Sequence, residues 1–266
     1  MNRYYFEMSV SQPKSGSFKS PQKRYSAGLA LCRYNHKKKK IEIVFVKKRY
    51  TYWFSLFVLG AYNKNDEPRL LFMFSKMTPE EKLLIHSLDF ESMWNYLWLT
   101  KSHNPQFKKK RPISNFDFYK KKKNKFEQFL FDKGRTLRRI IGNSNNKALV
   151  WEMPKGRLNP EESAIECAVR EFGEETRIDK RKYEILPNIK PISTSHRDGN
   201  FYYKSTYYFA RAKCDINLNL DFNYLKQVCE IIDIKWLTLD EINLLNSTQQ
   251  KFHTQVFNAV KHLRQT

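Results

Sequence analysis

Three glutamates lie close together at Glu171, Glu174 and Glu175, and their spacing decides what they can do. Positions i, i+3 and i+4 of a helix share one face, so three carboxylates crowd within a single turn. Each like-charged pair costs a helix about 0.2–0.5 kcal/mol, and the crowding becomes favourable where something positive is held. Hard divalent cations such as Mg²⁺ and Mn²⁺ prefer such oxygen ligands. The plainer alternative is a solvated acidic face neutralised by Arg170, which lies one turn from both Glu166 and Glu174. Helical periodicity predicts the carrier element over residues 162–176, with Ile165, Ala168, Val169 and Phe172 as its buried face.

The wider spacing narrows the choice. Gly156 is followed by five residues, Glu162, seven residues, Arg170-Glu171-Phe172-Gly173-Glu174-Glu175, one residue and Arg177-Ile178. This run resembles the Nudix box, Gly-x5-Glu-x7-Arg-Glu-U-x-Glu-Glu-x-Gly-U with U apolar, at every fixed position except one. Arg177 stands where the family has a closing glycine, which permits a left-handed turn at the helix end. A side chain in that conformation costs about 1 kcal/mol. The carboxylates precede it, so the departure bears on the following loop more than on the chemistry.

The resemblance implies an α/β fold, the Nudix α/β/α sandwich with a mixed sheet, and a metal-dependent pyrophosphate hydrolase. It implies that Glu171, Glu174 and Glu175, with the backbone carbonyl of Gly156, hold Mg²⁺ or Mn²⁺, and that Arg170 orients Glu171. A metal-activated water would then attack phosphorus, and a carboxylate must take its proton. Glu174 is one candidate for that base. Glu230, ahead of Ile-Ile-Asp-Ile-Lys-Trp236, resembles the late ligand or base glutamate of several family members; the alternative is an ordinary strand-edge acid.

Around this helix the chain divides into stretches of different character. Residues 1–24, rich in Ser, Pro, Gln and Lys, read as a flexible basic arm. Ser26 to Tyr34 and Ile41 to Lys48 are apolar, β-branched runs joined by a charged turn, a strand pair forming the first part of the catalytic domain, 25–49. Residues 50–147 turn aromatic and basic with helical periodicity, as an inserted module would. Within it, Thr78-Pro79-Glu80-Glu81 supplies a capping box for a helix reaching about Leu88. Asp89 caps a second, Phe90 to Leu99, with Phe90, Met93, Trp94 and Leu97 on one face, and a third is expected over Lys125 to Ile141. The second part of the catalytic domain, 148–266, resumes at Ala148-Leu149-Val150-Trp151, with strands expected at Tyr183–Leu186, Tyr202–Ala212 and Glu230–Trp236. Thr238 and Glu241 cap a late helix, and Phe252, Val256, Val260 and Leu263 form the buried stripe of the last one.

Composition points to a partner. The chain carries 49 basic against 27 acidic side chains, net +22, which calls for a polyanion such as nucleic acid, against the plainer reading of a well-solvated basic surface. Lys108 to Arg111, Lys120, Lys121, Lys122, Lys123, Arg135, Arg138 and Arg139 concentrate that charge in the insertion, and Lys204 adds to it on a later strand. Such a density suits an RNA backbone; for Lys108 to Arg111 the alternative is a solvated linker. The four cysteines lack CxxC spacing, which indicates neither zinc nor a disulfide framework and leaves a reducing compartment as the expectation. The apolar run Trp53 to Tyr62 falls short of the roughly 20 residues that span a bilayer, and residues 1–25 lack an apolar leader, so a soluble intracellular protein is expected.

Arg24-Tyr-Ser-Ala-Gly-Leu29, Val46-Lys-Lys-Arg-Tyr50, the run from Lys76 through Trp94, and Trp151-Glu-Met-Pro-Lys-Gly156 resemble the mRNA-decapping Nudix enzymes of African swine fever virus and giant DNA viruses. The resemblance spans most of residues 25–265. That subgroup splits a Nudix domain with a helical insertion, binds RNA through basic surfaces, and releases methylated GDP from capped RNA, leaving a 5′-monophosphate. It implies capped RNA as partner and the host cytoplasm as location, with packaging in the virion a further expectation. Recognition of a methylated guanine needs aromatic planes; Tyr52, Trp53 and Phe54 after the second strand, and Tyr202 and Tyr203, are the candidates. Two other readings remain: hydrolysis of small substrates such as diphosphoinositol or dinucleoside polyphosphates, and a non-catalytic RNA-binding protein on a degenerate Nudix scaffold.

Overall fold

In β1 (Gln22–Asn35) and β2 (Lys40–Lys48) apolar residues occupy both faces, the mark of a strand covered on two sides. Ala27, Leu29, Leu31, Val44 and Val46 point to one side, and Ala30, Cys32, Ile43 and Phe45 to the other. The computed structural model describes residues 22–98, 116–145, 148, 150–198 and 201–265; most of the expected basic arm and Lys108 to Arg111 lie outside the described residues. Strands β3 (Trp151–Glu152), β4 (Lys155–Arg157), β5 (Tyr183–Ile185), β6 (Ile192–Asp198), β7 (Phe201–Ala212) and β8 (Ile231–Leu237) complete a mixed sheet. β1 runs parallel to β7 and antiparallel to β2 and β4, while β2 also carries β3 and β8.

Between β2 and β3 the described residues form six helices: α1 (Tyr52–Val58), α2 (Glu67–Ser75), α3 (Pro79–His86), α4 (Phe90–Trp98), α5 (Phe116–Glu127) and α6 (Arg135–Asn143). They enclose a core of their own, in which Phe54, Phe57, Phe74 and Phe129 are fully buried. The Thr78–Glu81 capping box forms as the sequence requires. The single helix expected over Lys125 to Ile141 does not form. A 3₁₀ turn at Gln128–Leu130 and Gly134 at φ +77° split it into α5 and α6. A left-handed glycine interrupts the hydrogen-bond ladder, and a Cβ there would lie 2.6 Å from Leu88 Cδ1.

Arg49, at the end of β2, ties insertion to sheet. It donates to the carbonyls of Cys229 (2.8 Å), Leu97 (2.8 Å) and Tyr96. Beside it, the backbone N–H and hydroxyl of Thr51 donate to the buried Glu81 carboxylate at 2.5 and 2.7 Å.

The remaining helices sandwich the sheet. α7 (Ala164–Thr176) covers the Leu29 face; the short α8 (Leu225–Glu230) leads into β8; α9 (Leu239–Leu245) and α10 (Gln250–Ala259) cover the other face, where Ile242, Val256 and Phe257 are buried. Several boundaries differ from expectation. β1 starts at Gln22, because its parallel partner β7 reaches back to Phe201 and prolongs the ladder. Glu230 ends α8, and the strand begins at Ile231. α7 starts at Ala164 behind a Ser163–Glu166 capping box, leaving Glu162 in the preceding loop. The buried face of α7 is also rotated: it comprises Cys167, Ala168, Phe172, Glu175 and Thr176, while Ile165 and Val169 are only half-buried. No helix among the described residues is long and apolar enough to cross a membrane.

Candidate active site

β4 pairs with β1 so that Gly156 faces Ala27, directly under α7. A Cβ at Gly156 would sit 2.0 Å from the Glu171 carboxyl carbon and 2.2 and 2.3 Å from its oxygens. Only glycine therefore lets Glu171 lie across this strand. Arg170 fastens the surroundings: its Nε and Nη2 fork onto Glu162 at 2.7 and 2.9 Å, Nη1 donates to Glu171 at 2.6 Å, and Nη2 reaches the Arg157 carbonyl at 3.0 Å. The fork holds the Glu162 carboxyl down at about 2. Burial pushes the Glu171 carboxyl up, against the pull of Arg170 and with the repulsion of Glu174 and Glu230.

Glu175 points inward and is 3% exposed. Its Oε1 accepts from Lys48 Nζ at 2.5 Å, whereas Oε2 is buried with no hydrogen-bond partner. Lys48 Nζ also stands 3.6 Å from Glu152 and 3.6 Å from Glu230, and Lys155 pairs with Glu152 at 2.7 Å. Burial raises the Glu175 carboxyl to about 7; the charges of Glu152 and Glu230 add to the rise and Lys48 opposes it. Burial alone would lower the Lys48 ammonium, but the three carboxylates outweigh it and hold the lysine charged. Glu174 turns the other way, accepting from Lys226 at 2.7 Å with Arg170 3.8 Å off. Gln227 completes the floor by donating to the Glu175 carbonyl at 2.9 Å.

Each glutamate of the trio thus faces a different cation, and among the described residues no three acidic, His or Cys side chains converge as a ready ligand set. The donors nonetheless fit a hard divalent ion. An unpartnered buried oxygen on Glu175, a glycine cradle beneath Glu171, and five carboxylates counting Glu152 and Glu230 supply the oxygen-only chemistry such ions take. Lys48, Glu152 and Lys226 were not singled out from sequence. The alternation along β2 puts Lys48 on the face of Val44 and Val46, but only the fold sets a carboxylate opposite it.

Arg177 adopts the left-handed conformation at φ 59° despite its side chain. Its guanidinium lies 4.0 Å from the Tyr224 ring centroid and 3.5 Å from Asp221. Phe54 is corrected as a base-stacking candidate: it is fully buried in the insertion core, edge-on to Tyr96 at 5.4 Å, and no base can reach it. Trp53 is half-buried against Phe72 (5.2 Å). Tyr203 stacks on His196 at 4.8 Å with 5° between the planes, and Tyr202, the next residue along β7, is half-buried. Lys120 and Lys121 on α5 are exposed and Lys122 and Lys123 partly so; Arg135, Arg138 and Arg139 line the outer side of α6, and Lys204 is exposed on β7. Arg139 is engaged, forking onto Glu67 at 2.7 and 2.9 Å.

The family profile of the NUDIX domain matches residues 130–259. The chain belongs to the Nudix family and is a pyrophosphohydrolase of that class. Over 253 residues it is 34% identical to the mRNA-decapping protein g5R of African swine fever virus (strain Badajoz), covering 91% of this chain and 96% of that protein. With the protein of the same name from a warthog isolate of the virus it shares 35% over 235 residues, covering 86% and 90%. A solved C. elegans Ap4A hydrolase superimposes with a TM-score of 0.42 at 13% identity, over 89% of this chain and 98% of that one.

Proposed function

We propose that this chain is an mRNA-decapping hydrolase that cleaves the cap pyrophosphate and releases methylated GDP and 5′-monophosphate RNA. The observation that carries the reading is the Gly156–Glu171–Arg170–Glu162 assembly, joined through Arg49 to an insertion rich in exposed cations, in a chain similar along nearly its whole length to decapping proteins. Glu171, Glu174, Glu175, Glu230 and the Gly156 carbonyl would hold Mg²⁺ or Mn²⁺. When bound, that ion supplies charge neutralisation on the diphosphate and a more acidic water.

The protein's own groups do the rest. Arg170 sets the angle of Glu171 and holds the loop through Glu162. Lys48 neutralises Glu175, Glu152 and Glu230, keeping a dense acidic floor folded. Glu174 and Glu230, both reached by solvent, are the groups able to take a proton from the attacking water. Lys120 to Lys123, Arg135, Arg138, Arg139 and Lys204 offer charge to the RNA backbone, and Tyr202 offers a plane to the cap.

The test is product identification. Cap-labelled RNA incubated with the protein and Mg²⁺ or Mn²⁺ should yield methylated GDP, and Glu174→Gln should lower the rate by about 10²-fold or more with an unchanged circular dichroism spectrum. Release of methylated GMP, or no product with either metal, sinks the reading.

A further inference from the structure

Where insertion and sheet meet, five aromatic rings touch in sequence across the surface. Phe72 on α2 meets Trp53 at 5.2 Å, and Trp53 meets Tyr52 at 5.5 Å. The Tyr52 hydroxyl lies 3.4 Å from that of Tyr203 on β7, and Tyr203 meets Phe201 at 6.2 Å. Unlike the rings of the insertion core, these keep outer edges in solvent: Phe72 is 44% and Tyr52 38% exposed.

Cations sit over the same rings. Lys76 is 5.5 Å from the Phe72 centroid; Arg69 lies 5.0 Å from Trp53 and 5.6 Å from Phe72; Arg24 lies 4.0 Å from Phe201 and 5.8 Å from Tyr203. Arg69 is steadied by Asp198 of β6 at 2.6 Å, so the row bridges both parts of the protein. Its sheet end reaches the catalytic loop: Arg24 stands two residues before Ser26 on β1, and Ser26 faces Arg157, the residue after Gly156.

Interleaved rings and cations are what unpaired nucleotides bind, with bases stacking on rings and phosphates meeting the charges. A cationic methylguanine fits this row poorly, since the three cations beside the rings repel its charge, which a neutral base lacks. A duplex fits poorly as well, because its base faces are hidden. We infer that the row from Phe72 through Tyr52 to Phe201 is a track for single-stranded RNA, distinct from the basic faces of α5 and α6, that leads the transcript's first nucleotides past the catalytic loop. The inference rests on the decapping reading and deepens it, assigning the RNA body rather than the cap to these rings.

Fluorescence anisotropy with a labelled, uncapped single-stranded RNA and a blunt duplex of equal length tests it on the full chain. Phe72→Ala should weaken single-strand binding about ten-fold, leaving its salt dependence, the duplex affinity and the melting temperature unchanged. Phe72→Leu, which keeps apolar contact with Trp53 without a ring, should give a loss of the same order. Arg24→Gln should flatten the salt dependence by about one phosphate contact. Unchanged single-strand affinity in the Phe72 variants, or equal loss for the duplex, overturns the track. Loss of RNA binding only on removing Lys120 to Lys123 and Arg135 to Arg139 overturns it too, and leaves the decapping reading standing. If the wild type binds no RNA, both fall.

Discussion

The insertion and the catalytic core bury opposite things. In the insertion the interior is aromatic, with Phe57 stacked on Tyr62 at 4.8 Å and Phe74 and Phe129 out of solvent, and the cations of α5 and α6 face outward. In the core, the groove beneath α7 holds charge: Glu175, Lys48 and Glu152 crowd where an ordinary sandwich would place apolar side chains. Buried ion pairs are weak contributors to stability, since desolvation consumes most of their attraction. The difference teaches that the insertion is organised by packing, whereas the core gives up packing at one place to keep a cluster of charged side chains.

That contrast can be pressed at three points. The largest effect is expected from Phe129→Ala, which opens a cavity in the insertion and should cost about 3–5 kcal/mol. Trp53, Trp94 and Trp98 lie in the insertion, and Trp151 and Trp236 on the sheet, so urea unfolding followed by tryptophan fluorescence should split, with the insertion melting first. A single transition at the wild-type midpoint would erase the distinction between two cores.

A smaller effect concerns acid. His253 in the core is 1% exposed, edge-on to Phe45 at 5.7 Å, with Nδ1 3.2 Å from Asn243 Oδ1. Burial lowers its pKa to about 4. Because the folded value lies below the ordinary 6.5, the stabilisation is complete above that pH and is lost as pH falls from there toward about 4, by on the order of 2 kcal/mol. Urea midpoints between pH 4.5 and 7 should therefore slope less for His253→Gln than for the wild type, and parallel slopes would refute the assignment.

The smallest change is expected at Arg177→Gly. Glycine relieves about 1 kcal/mol of left-handed strain but removes the contacts with Tyr224 and Asp221, so net stability should move by less than about 0.5 kcal/mol. A loss of several-fold in turnover with an unchanged melting temperature would show that the loop after α7 matters to the chemistry.

Much of this was legible in advance because it is local. The box spacing located α7 and the glycine loop, and the Thr78–Glu81 and Thr238–Glu241 pairs capped the helices they were expected to cap. Local patterns failed where a distant partner intervened. The apolar periodicity of 162–176 favoured Ile165 and Val169 as core, yet the face that meets the sheet carries Cys167, Ala168 and Phe172 together with Glu175, which pairs with the distant Lys48. Phe54 read as a candidate binding ring because an aromatic residue gives no sign in sequence of which side of a helix will be covered.

By itself the sequence determined the chemistry on offer: three carboxylates on one helical turn, a glycine at a set spacing ahead of them, and an excess of positive charge. Helix geometry fixes such relations over a few residues, whatever the rest of the chain does. Tertiary structure alone decided which charge answers which. Lys48 meets Glu175 across 127 residues and β1 finds its parallel partner β7 at a separation of 179 between Ser26 and Ser205. Contacts over such spans follow from how the sheet closes and what its faces bury, and no local spacing encodes them.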